Sequence, residues 1–328
     1  MPALDLPLIA ALVIAFAVLM YVILDGFDLG LGILFPFAGD DAERDRMMNS
    51  VAPVWDGNET WLVLGGGGLL AAFPAAYAAL LPAVYLPIMV MLLALVFRGV
   101  AFELRFKAER SKIVWDRAFW AGSTIASFAQ GAVLGAFIQG INVAGGAFAW
   151  LTPFSVMTGI ALVAGYALLG ATWLIMKTDG ALQQRAFAWA RFALFAVGGF
   201  VAVVSLWTPL AHEAIARRWF SGGHLLWLAP IPVATGLLGL YLLHALANKH
   251  EHGPFLGSLG LFVLSYIGLG VSLFPYAVPR VLTIWDAAAA PESLKLILIG
   301  VAITVPPILA YSAHNYWVFR GKTGAGYH

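Results

Sequence analysis

The chain has 328 residues, of which 62% are hydrophobic and only 11% are charged, and its net charge at pH 7 is +1. Soluble domains carry about 25% charged residues, so this composition excludes an ordinary soluble protein and indicates a membrane protein that crosses the bilayer several times. Because the sequence has no cysteine, disulfides, iron–sulfur ligation and thiolate haem ligation by this chain are excluded as well.

Apolar stretches predict nine transmembrane helices, and thus an all-α integral membrane protein. Their approximate ranges are 7–34, 56–74, 79–101, 117–140, 154–176, 191–212, 225–247, 256–279 and 296–318. The segment before the first stretch has no Lys or Arg, so we expect a true span and not a cleavable signal. Residues 62–97 are continuously apolar and too long for one crossing of a core of about 30 Å. Pro74 and Pro82 offer a turn that divides this run.

The distribution of Lys and Arg predicts the orientation. With nine spans, 14 of the 18 Lys and Arg residues fall on one side, and Arg217, Arg218, Arg280 and Lys295 fall on the other. The positive-inside rule then places the N-terminus outside and the C-terminus in the cytoplasm. If the second and third spans were a single helix, the distribution of Lys and Arg between the two sides would weaken to 12 against 6, which favours nine separate spans.

Acidic residues at the predicted cytoplasmic ends of the first two spans are the first candidate for chemistry. Asp25 and Asp28 lie near the end of the first span, and Asp56 and Glu59 begin the second. A spacing of three puts both members of each pair on one helix face. Acids at membrane depth are costly unless they face protein or water. Arg98, at the end of the third span, is the candidate charge partner.

Each of these residues has a structural interpretation beside the functional one. Asp25 and Asp28 either relay protons from the cytoplasm or pair structurally with Arg98 and hold the helix end. Asp56 and Glu59 either belong to the same relay or cap the second helix, which suits acids in a first turn. Arg98 either neutralises a carboxylate or extends to the headgroups. We expect Glu103 and Arg105 in a solvated continuation of the third helix.

Other sequence features carry less information. His314, and less clearly His244, are the histidines placed deep enough for axial haem ligation, and a structural role is the simpler interpretation for both. Gly65–Gly68 indicates a close helix–helix contact, with a non-helical break near a cofactor or water as the alternative. No metal-ligand cluster, nucleotide-binding motif or internal repeat is evident, and we expect no nucleic-acid partner.

Three motifs in the first third of the chain carry a family resemblance. They are YVILDGFDLG at 21–30, NSVAPVWDGNETWL at 49–62 and FRGVAFE at 97–103. In their order and spacing they resemble subunit II of the cytochrome bd quinol oxidases. The rest of the chain matches that family in hydropathy and span number. Its short loops and its length are closer to the cyanide-insensitive branch.

The resemblance implies an architecture of two four-helix bundles and one peripheral helix. Residues of about 7–140 would form the first bundle with the acidic motifs, about 154–279 the second, and about 296–318 the last helix. It also implies a similarly folded partner, subunit I, that carries haem b and haem d, oxidises quinol and reduces O₂ to water. Subunit II of the family carries no catalytic haem, and some members hold a structural quinone. A small accessory subunit and a bacterial cytoplasmic membrane complete the expectation.

The resemblance also assigns roles to the acids. Asp25 and Asp56 correspond to the family's relay residues, and Asp28 and Glu59 complete the predicted proton path or hold the helix ends. The alternative is a proton-coupled secondary transporter that uses the same acids. Such a carrier would favour an internal repeat and binding acids near the membrane midplane. A third interpretation is a scaffold that only stabilises the haem-bearing partner.

Overall fold

The computed structural model describes residues 4–108, 110–141 and 146–324. Apart from one short hairpin, the regular structure in these ranges is helical. The helices are α1 (Leu6–Leu34), α2 (Asp41–Asn49), α3 (Trp55–Ala72), α4 (Pro74–Arg105), α5 (Lys112–Gln139), α6 (Pro153–Lys177), α7 (Gly180–Ala211), α8 (Glu213–Phe220), α9 (His224–Leu228), α10 (Pro230–Ala247), α11 (Gly253–Leu273) and α12 (Pro291–Val318). Strands β1 (Tyr276–Val278) and β2 (Leu282–Thr283) pair in antiparallel fashion between α11 and α12.

The prediction of an all-α membrane protein is confirmed. In the part of the chain that the structure describes, eight helical segments are long and apolar enough to cross a membrane: α1 with the turn that follows it, α4, α5, α6, α7, α9 together with α10, α11 and α12. The segment α3 is not among these eight, since its first turns carry Asp56, Asn58 and Glu59.

The long apolar run of residues 62–97 is divided between two helices, as the prolines predict. Helix α3 ends at Ala72, Phe73 leaves helical geometry, and Pro74 occupies the first position of α4. Pro82 does not end a helix. Helix α4 continues past Pro82 and Pro87 with a kink at Val84, whose φ of −125° and ψ of 15° are not helical. A proline inside a helix removes one backbone hydrogen bond and bends the helix without necessarily ending it.

Two predicted boundaries differ most from the observed ones. Helix α7 begins at Gly180, 11 residues before the predicted start of its span, because its polar first turns remain helical outside the apolar stretch. The predicted span 256–279 ends at Leu273, and the β1–β2 hairpin follows it. Hydropathy marks where a segment is apolar, whereas helix ends depend on the backbone hydrogen bonds that can continue beyond that stretch.

Helix α1 lies at the centre of the molecule and packs against α3, α5 and α6. Its crossing with α6 is very close. A Cβ atom on Gly30 would lie 1.9 Å from the carbonyl oxygen of Tyr166, and one on Gly170 would lie 2.5 Å from the carbonyl carbon of Gly30. Small residues permit such backbone contacts between membrane helices. Helix α12 lies at the opposite extreme, because its most apolar window contains no buried residue.

The glycine run of α3 confirms the contact interpretation for two of its four residues. Cβ atoms on Gly65 and Gly68 would lie 3.2 Å from side-chain carbons of Val18 and Ile14 on α1, whereas nothing described lies within 4 Å of those on Gly66 and Gly67. The helix continues through all four positions, so the alternative of a non-helical break is wrong.

The α1–α6 crossing generates a stability prediction. We expect Gly30→Ala to lower the midpoint of thermal unfolding and the yield of folded protein, because the new methyl group must displace the α6 backbone. Overpacking of this kind costs about 1–3 kcal/mol, and more where backbone must move. Gly198→Ala on α7 is the matched control, since nothing lies within 4 Å of its Cβ position. Equal unfolding midpoints in the two variants would contradict the close contact.

Candidate functional site

Four ionisable side chains from three helices meet in one buried cluster. Asp25 and Asp28 come from α1, Glu59 from α3 and Arg98 from α4. Arg98 Nη1 lies 2.8 Å from Asp25 Oδ1 and 3.5 Å from Glu59 Oε1, and Arg98 Nη2 lies 3.9 Å from Asp28 Oδ2. The Asp25 and Asp28 side chains are fully buried, whereas that of Glu59 is 25% exposed. The structure therefore brings together four of the five predicted site residues.

Close helix packing places Arg98 among these acids. A Cβ atom on Gly122 of α5 would lie 2.6 Å from the carbonyl oxygen of Ala94 and 3.0 Å from the backbone nitrogen of Arg98, so α5 presses directly on this turn of α4. On the other side, a Cβ atom on Gly26 would lie 2.8 Å from the ring of Tyr166. The Arg98 guanidinium is thus held inside the protein, and the interpretation in which it extends to lipid headgroups is wrong.

The cluster contains more buried polar atoms than its hydrogen bonds satisfy. Among the described residues, both carboxylate oxygens of Asp25, Oδ1 of Asp28 and Nε of Arg98 have no hydrogen-bond partner of good geometry. Buried polar atoms are normally hydrogen-bonded, and the explanations for an exception include a catalytic role and a bound water. One guanidinium among three carboxylates also carries only a single positive charge. The cluster is therefore suited to binding and releasing protons.

A hydrogen-bonded chain of side chains connects the cluster to the last helix. Asn58 Nδ2 donates a hydrogen bond of 2.8 Å to Asp28 Oδ2, and Tyr316 Oη donates one of 2.7 Å to Asn58 Oδ1. One residue earlier, Asn315 Nδ2 donates to the carbonyl oxygen of Pro53 at 2.6 Å. These contacts fix α12 against the start of α3. Sequence reasoning missed Tyr316, for which the one available signal was its position near the predicted cytoplasmic end of the last span.

A second hydrogen-bonded chain of side chains leads from α1 to α6 through α5. Gln130 Nε2 donates to Tyr21 Oη at 2.7 Å, and Tyr166 Oη donates to Gln130 Oε1 at 2.8 Å. Tyr21 and Tyr166 are both buried, and Tyr21 lies one helical turn before Asp25, close enough to interact with its carboxylate. Sequence reasoning missed this chain too, because isolated Tyr and Gln residues in three separate apolar helices form no local motif.

Asp56 is the predicted site residue that lies outside the cluster. It is exposed in the first turn of α3, one turn before Glu59. No side chain caps the start of α3 with a hydrogen bond, but Asp56 does lie in its first turn, where an acid suits the helix dipole. Exposure decreases in the order Asp56, Glu59, Asp28, so the three acids run from the surface of the chain to the buried cluster.

Arg105 corrects another expectation, since it is fully buried and not solvated. It is hydrogen-bonded to Asp45 of α2 and Asp116 of α5, and Arg105 Nη2 lies 3.5 Å from Asp41 Oδ1. Helix α2 folds over this end of α4 and excludes solvent from the guanidinium. Glu103 is exposed as predicted and lies 3.9 Å from Lys107.

The edge of this second cluster reaches solvent. Lys112 Nζ lies 3.0 Å from Asp41 Oδ2 and lowers the pKa of that carboxyl group by hydrogen bonding, with smaller contributions from Arg44 and Arg105. A lowered pKa stabilises the folded chain above the ordinary pKa of Asp and loses that effect as the pH falls through the lowered value. The side chain of Asp41 is 56% exposed, so screening by water keeps the effect small.

The histidines lie apart from both clusters. His314 is exposed on α12, with its ring centroid 6.1 Å from that of Trp317, and His244 is exposed on α10 near His250. In the described ranges no group of three or more His, Asp or Glu side chains is arranged to hold a metal ion.

Comparison with known proteins gives a consistent result. Residues 6–319 match the family described as cytochrome bd terminal oxidase subunit II. Subunit 2 of the Escherichia coli K12 cytochrome bd-I ubiquinol oxidase is 32% identical, covering 96% of this chain and 93% of that protein. Subunit 2 of the Bacillus subtilis cytochrome bd ubiquinol oxidase is 30% identical, covering 91% of each. A chain of the Geobacillus thermodenitrificans bd oxidase has the same fold, with a TM-score of 0.76 at 18% identity over 96% of this chain and 97% of that one.

The buried ion pairs generate a prediction about Arg98. We expect Arg98→Met to reduce the amount of folded protein and its thermal midpoint sharply, because it leaves Asp25 and Asp28 buried without a cation. Breaking a buried pair in this way costs about 3–5 kcal/mol. Adding Asp25→Asn to Arg98→Met should recover much of the loss, since it removes one uncompensated charge. A double variant as unstable as, or less stable than, the single one would contradict the charge argument.

Proposed function

The chain belongs to the cytochrome bd terminal oxidase subunit II family, and from this premise we propose that it is the subunit II of a quinol oxidase that reduces O₂ to water. It pairs with a haem-bearing subunit I in a bacterial cytoplasmic membrane. Its own chemical task is to deliver protons from the cytoplasm toward the haems of that partner. It is not active alone, because electron transfer from quinol to O₂ requires the cofactors of subunit I.

The buried cluster around Arg98 is the observation that carries this proposal. Protons enter at the exposed Asp56 and the partly exposed Glu59 and reach the buried Asp28 and Asp25. Three carboxylates cannot all stay ionised in a buried site beside one guanidinium without a large desolvation cost. A site of this composition takes up and releases protons as its surroundings change, which a relay requires.

The topology follows from combining the helices with the charge distribution. We assign α3 as a further span, second in chain order, which brings the total to nine. Nine spans place the N-terminus outside and the C-terminus in the cytoplasm. The separation of α3 from α4 at Phe73 and Pro74 supports this assignment. Helices α1, α3, α4 and α5 form the first four-helix bundle, α6, α7, α10 and α11 form the second, and α12 is the peripheral helix. The exposure of α12 along its most apolar window supports its peripheral place.

Haem b and haem d belong to subunit I in this proposal. The exposed positions of His244 and His314 support the assignment, because an axial ligand needs a depth and an enclosure that suit the macrocycle. An apolar groove of about 220 Å³ lies between α1, α3 and α12, and its lining consists of Ala, Val, Ile, Leu and Gly. These residues suit a hydrocarbon chain, but they offer no side-chain donor to a quinone carbonyl, so the groove does not fit a quinone ring. The presence of an accessory subunit and the membership of this chain in the cyanide-insensitive branch stay predictions.

A proton-coupled transporter is the second candidate, and two observations disfavour it. The acids gather at one end of the helices and not around a central cavity. The cluster is also crossed by direct side-chain contacts among α1, α3, α4 and α12, which hold these helices together at this level. A carrier needs a site near the midplane that opens to both sides.

The relay generates a prediction for the assembled complex. We expect Asp25→Asn and Asp56→Asn each to lower quinol-driven O₂ consumption by about tenfold or more while the haem spectrum stays normal, because an amide has the shape of the carboxyl group but cannot titrate. Oxygen uptake and reduced-minus-oxidised spectra of the purified complex measure both quantities.

Glu103→Gln is the matched control for these two variants. Glu103 is an exposed acid on α4 whose ion pair among the described residues is with the neighbouring Lys107, and its replacement should leave turnover unchanged. Loss of haem in Asp25→Asn or Asp56→Asn would assign that residue a structural role. Normal turnover in both would favour the scaffold interpretation over the proton path.

The topology can be tested with single cysteines, since the natural sequence has none. We expect a membrane-impermeant maleimide applied to spheroplasts to label Ser221→Cys, and to label Ala42→Cys and Ser111→Cys only after the membrane is opened. All three positions are exposed in the structure. Opposite accessibility of positions 42 and 111 would show that α3 does not cross the membrane. Labelling of positions 42 and 111 with protection of 221 would reverse the orientation.

A further inference from the structure

The chain formed by Tyr21, Gln130 and Tyr166 has no role in the proton path described so far. It lies beside the Arg98 cluster, on the side that faces α5 and α6. Tyr21 and Asp25 are four residues apart on α1 and therefore lie on one helix face. The three helices α1, α5 and α6 pack closely here, and each contributes one member of the chain.

The chemistry of the amide gives the chain a direction. The Gln130 nitrogen can only donate, and its oxygen can only accept. Because Nε2 donates to Tyr21 Oη, the tyrosine oxygen is the acceptor of that bond and its own hydrogen remains available for another partner. Tyr166 is the donor at the other end, so its hydroxyl hydrogen is used by the amide oxygen. The donors therefore point in sequence from Tyr166 to Gln130, then to Tyr21, and from Tyr21 toward Asp25.

The reverse orientation of the amide is less favourable at this place. It would use the Tyr21 hydrogen to bond Gln130 Oε1 and would aim the tyrosine lone pairs at a carboxylate. Both oxygens of Asp25 already have no aligned hydrogen-bond partner among the described residues. Beside Arg98 Nη1, which lies 2.8 Å from Asp25 Oδ1, the Tyr21 hydroxyl is a second donor for this buried carboxylate, so the orientation that supplies it is preferred.

We infer that Gln130 is a positioning residue for Asp25, because it turns the hydroxyl hydrogen of Tyr21 toward that carboxylate. The inference rests on the proposed proton path. The donor stabilises the ionised form of Asp25 and so helps that residue to give up its proton. Gln130 also ends the path on this side, since a carboxamide exchanges protons far less readily than a hydroxyl or carboxyl group. Protons that reach Asp25 are thereby kept from passing on toward Tyr166.

The test uses the complete two-subunit enzyme and infrared difference spectroscopy. Asp25→Asn identifies the carboxyl or carboxylate band of Asp25 by its loss. We expect Gln130→Leu and Tyr21→Phe to shift this band in the same direction. The double variant should shift it no further than the larger single shift, because Gln130 acts through Tyr21. Thr124→Val on α5, whose hydroxyl donates to the carbonyl oxygen of Trp120 within its own helix, is the matched control and should leave the band in place.

Turnover is a second measurement on the same variants. Gln130→Leu should lower kcat by about tenfold with an unchanged KM for quinol, which matches the loss of one hydrogen bond to a charged group. An unmoved Asp25 band in Gln130→Leu, or additive shifts in the double variant, would overturn the inference. If Gln130→Leu fails to assemble, Tyr166→Phe takes its place, because it removes the other hydrogen bond of the Gln130 amide. A shifted Asp25 band then supports the inference, and an unmoved band overturns it. Normal turnover in Asp25→Asn would refute the proton path itself, while the band shifts would still decide the role of Gln130.

Discussion

The burial of Arg98 among three carboxylates is the constraint on which the packing of α1, α3, α4 and α12 depends. A guanidinium removed from water needs compensating charge and several acceptors, and no single helix can supply both. Asp25 and Asp28 on α1 and Glu59 on α3 supply them to Arg98 on α4. Three helices are thereby fixed in register at one level, and α12 is added through Tyr316 and Asn58.

Glycines make this arrangement geometrically possible. Gly122 lets α5 press against the turn of α4 that carries Arg98, and Gly30 with Gly170 lets α1 and α6 meet at backbone distance. In a bilayer, association between helices depends on close packing and on interhelical hydrogen bonds, because the lipid chains are as apolar as the side chains they replace. The polar network and the glycine contacts therefore stabilise the same set of helices in two different ways.

Much of the fold followed from the sequence, because hydropathy and proline position act locally. The apolar runs predicted the helices, and Pro74 predicted the turn between α3 and α4. The short range of these signals also explains the errors: hydropathy could not show that the polar first turns of α7 remain helical. Arg105 was misjudged because its burial depends on α2 folding over α4, a contact between segments about 60 positions apart.

The candidate site was predicted where its residues share short motifs and missed where they do not. Asp25, Asp28, Glu59 and Arg98 stand out as charges beside apolar runs, and the structure brings them together. Tyr316, Gln130 and Tyr166 are single polar residues in apolar helices, and only the packing of those helices shows that they contact the site. Asp56 is the reverse case, because its motif is clear although the described contacts leave it at the surface.

The two buried arginines of α4 show how a structural charge cluster differs from one suited to proton transfer. Arg105 is hydrogen-bonded to Asp45 and Asp116, its Nη2 has no partner of good geometry among the described residues, and its acids are partly exposed, so water screens the remaining charge. Arg98 lies seven residues earlier among fully buried aspartates with unsatisfied oxygens. A cluster whose acids are screened by water has little to gain from binding a proton, whereas one whose aspartates are fully buried changes its free energy strongly when a proton arrives. The difference between these clusters lies in the burial of their acids, which makes the Arg98 cluster the one suited to proton exchange, whereas the Arg105 cluster holds α2, α4 and α5 together.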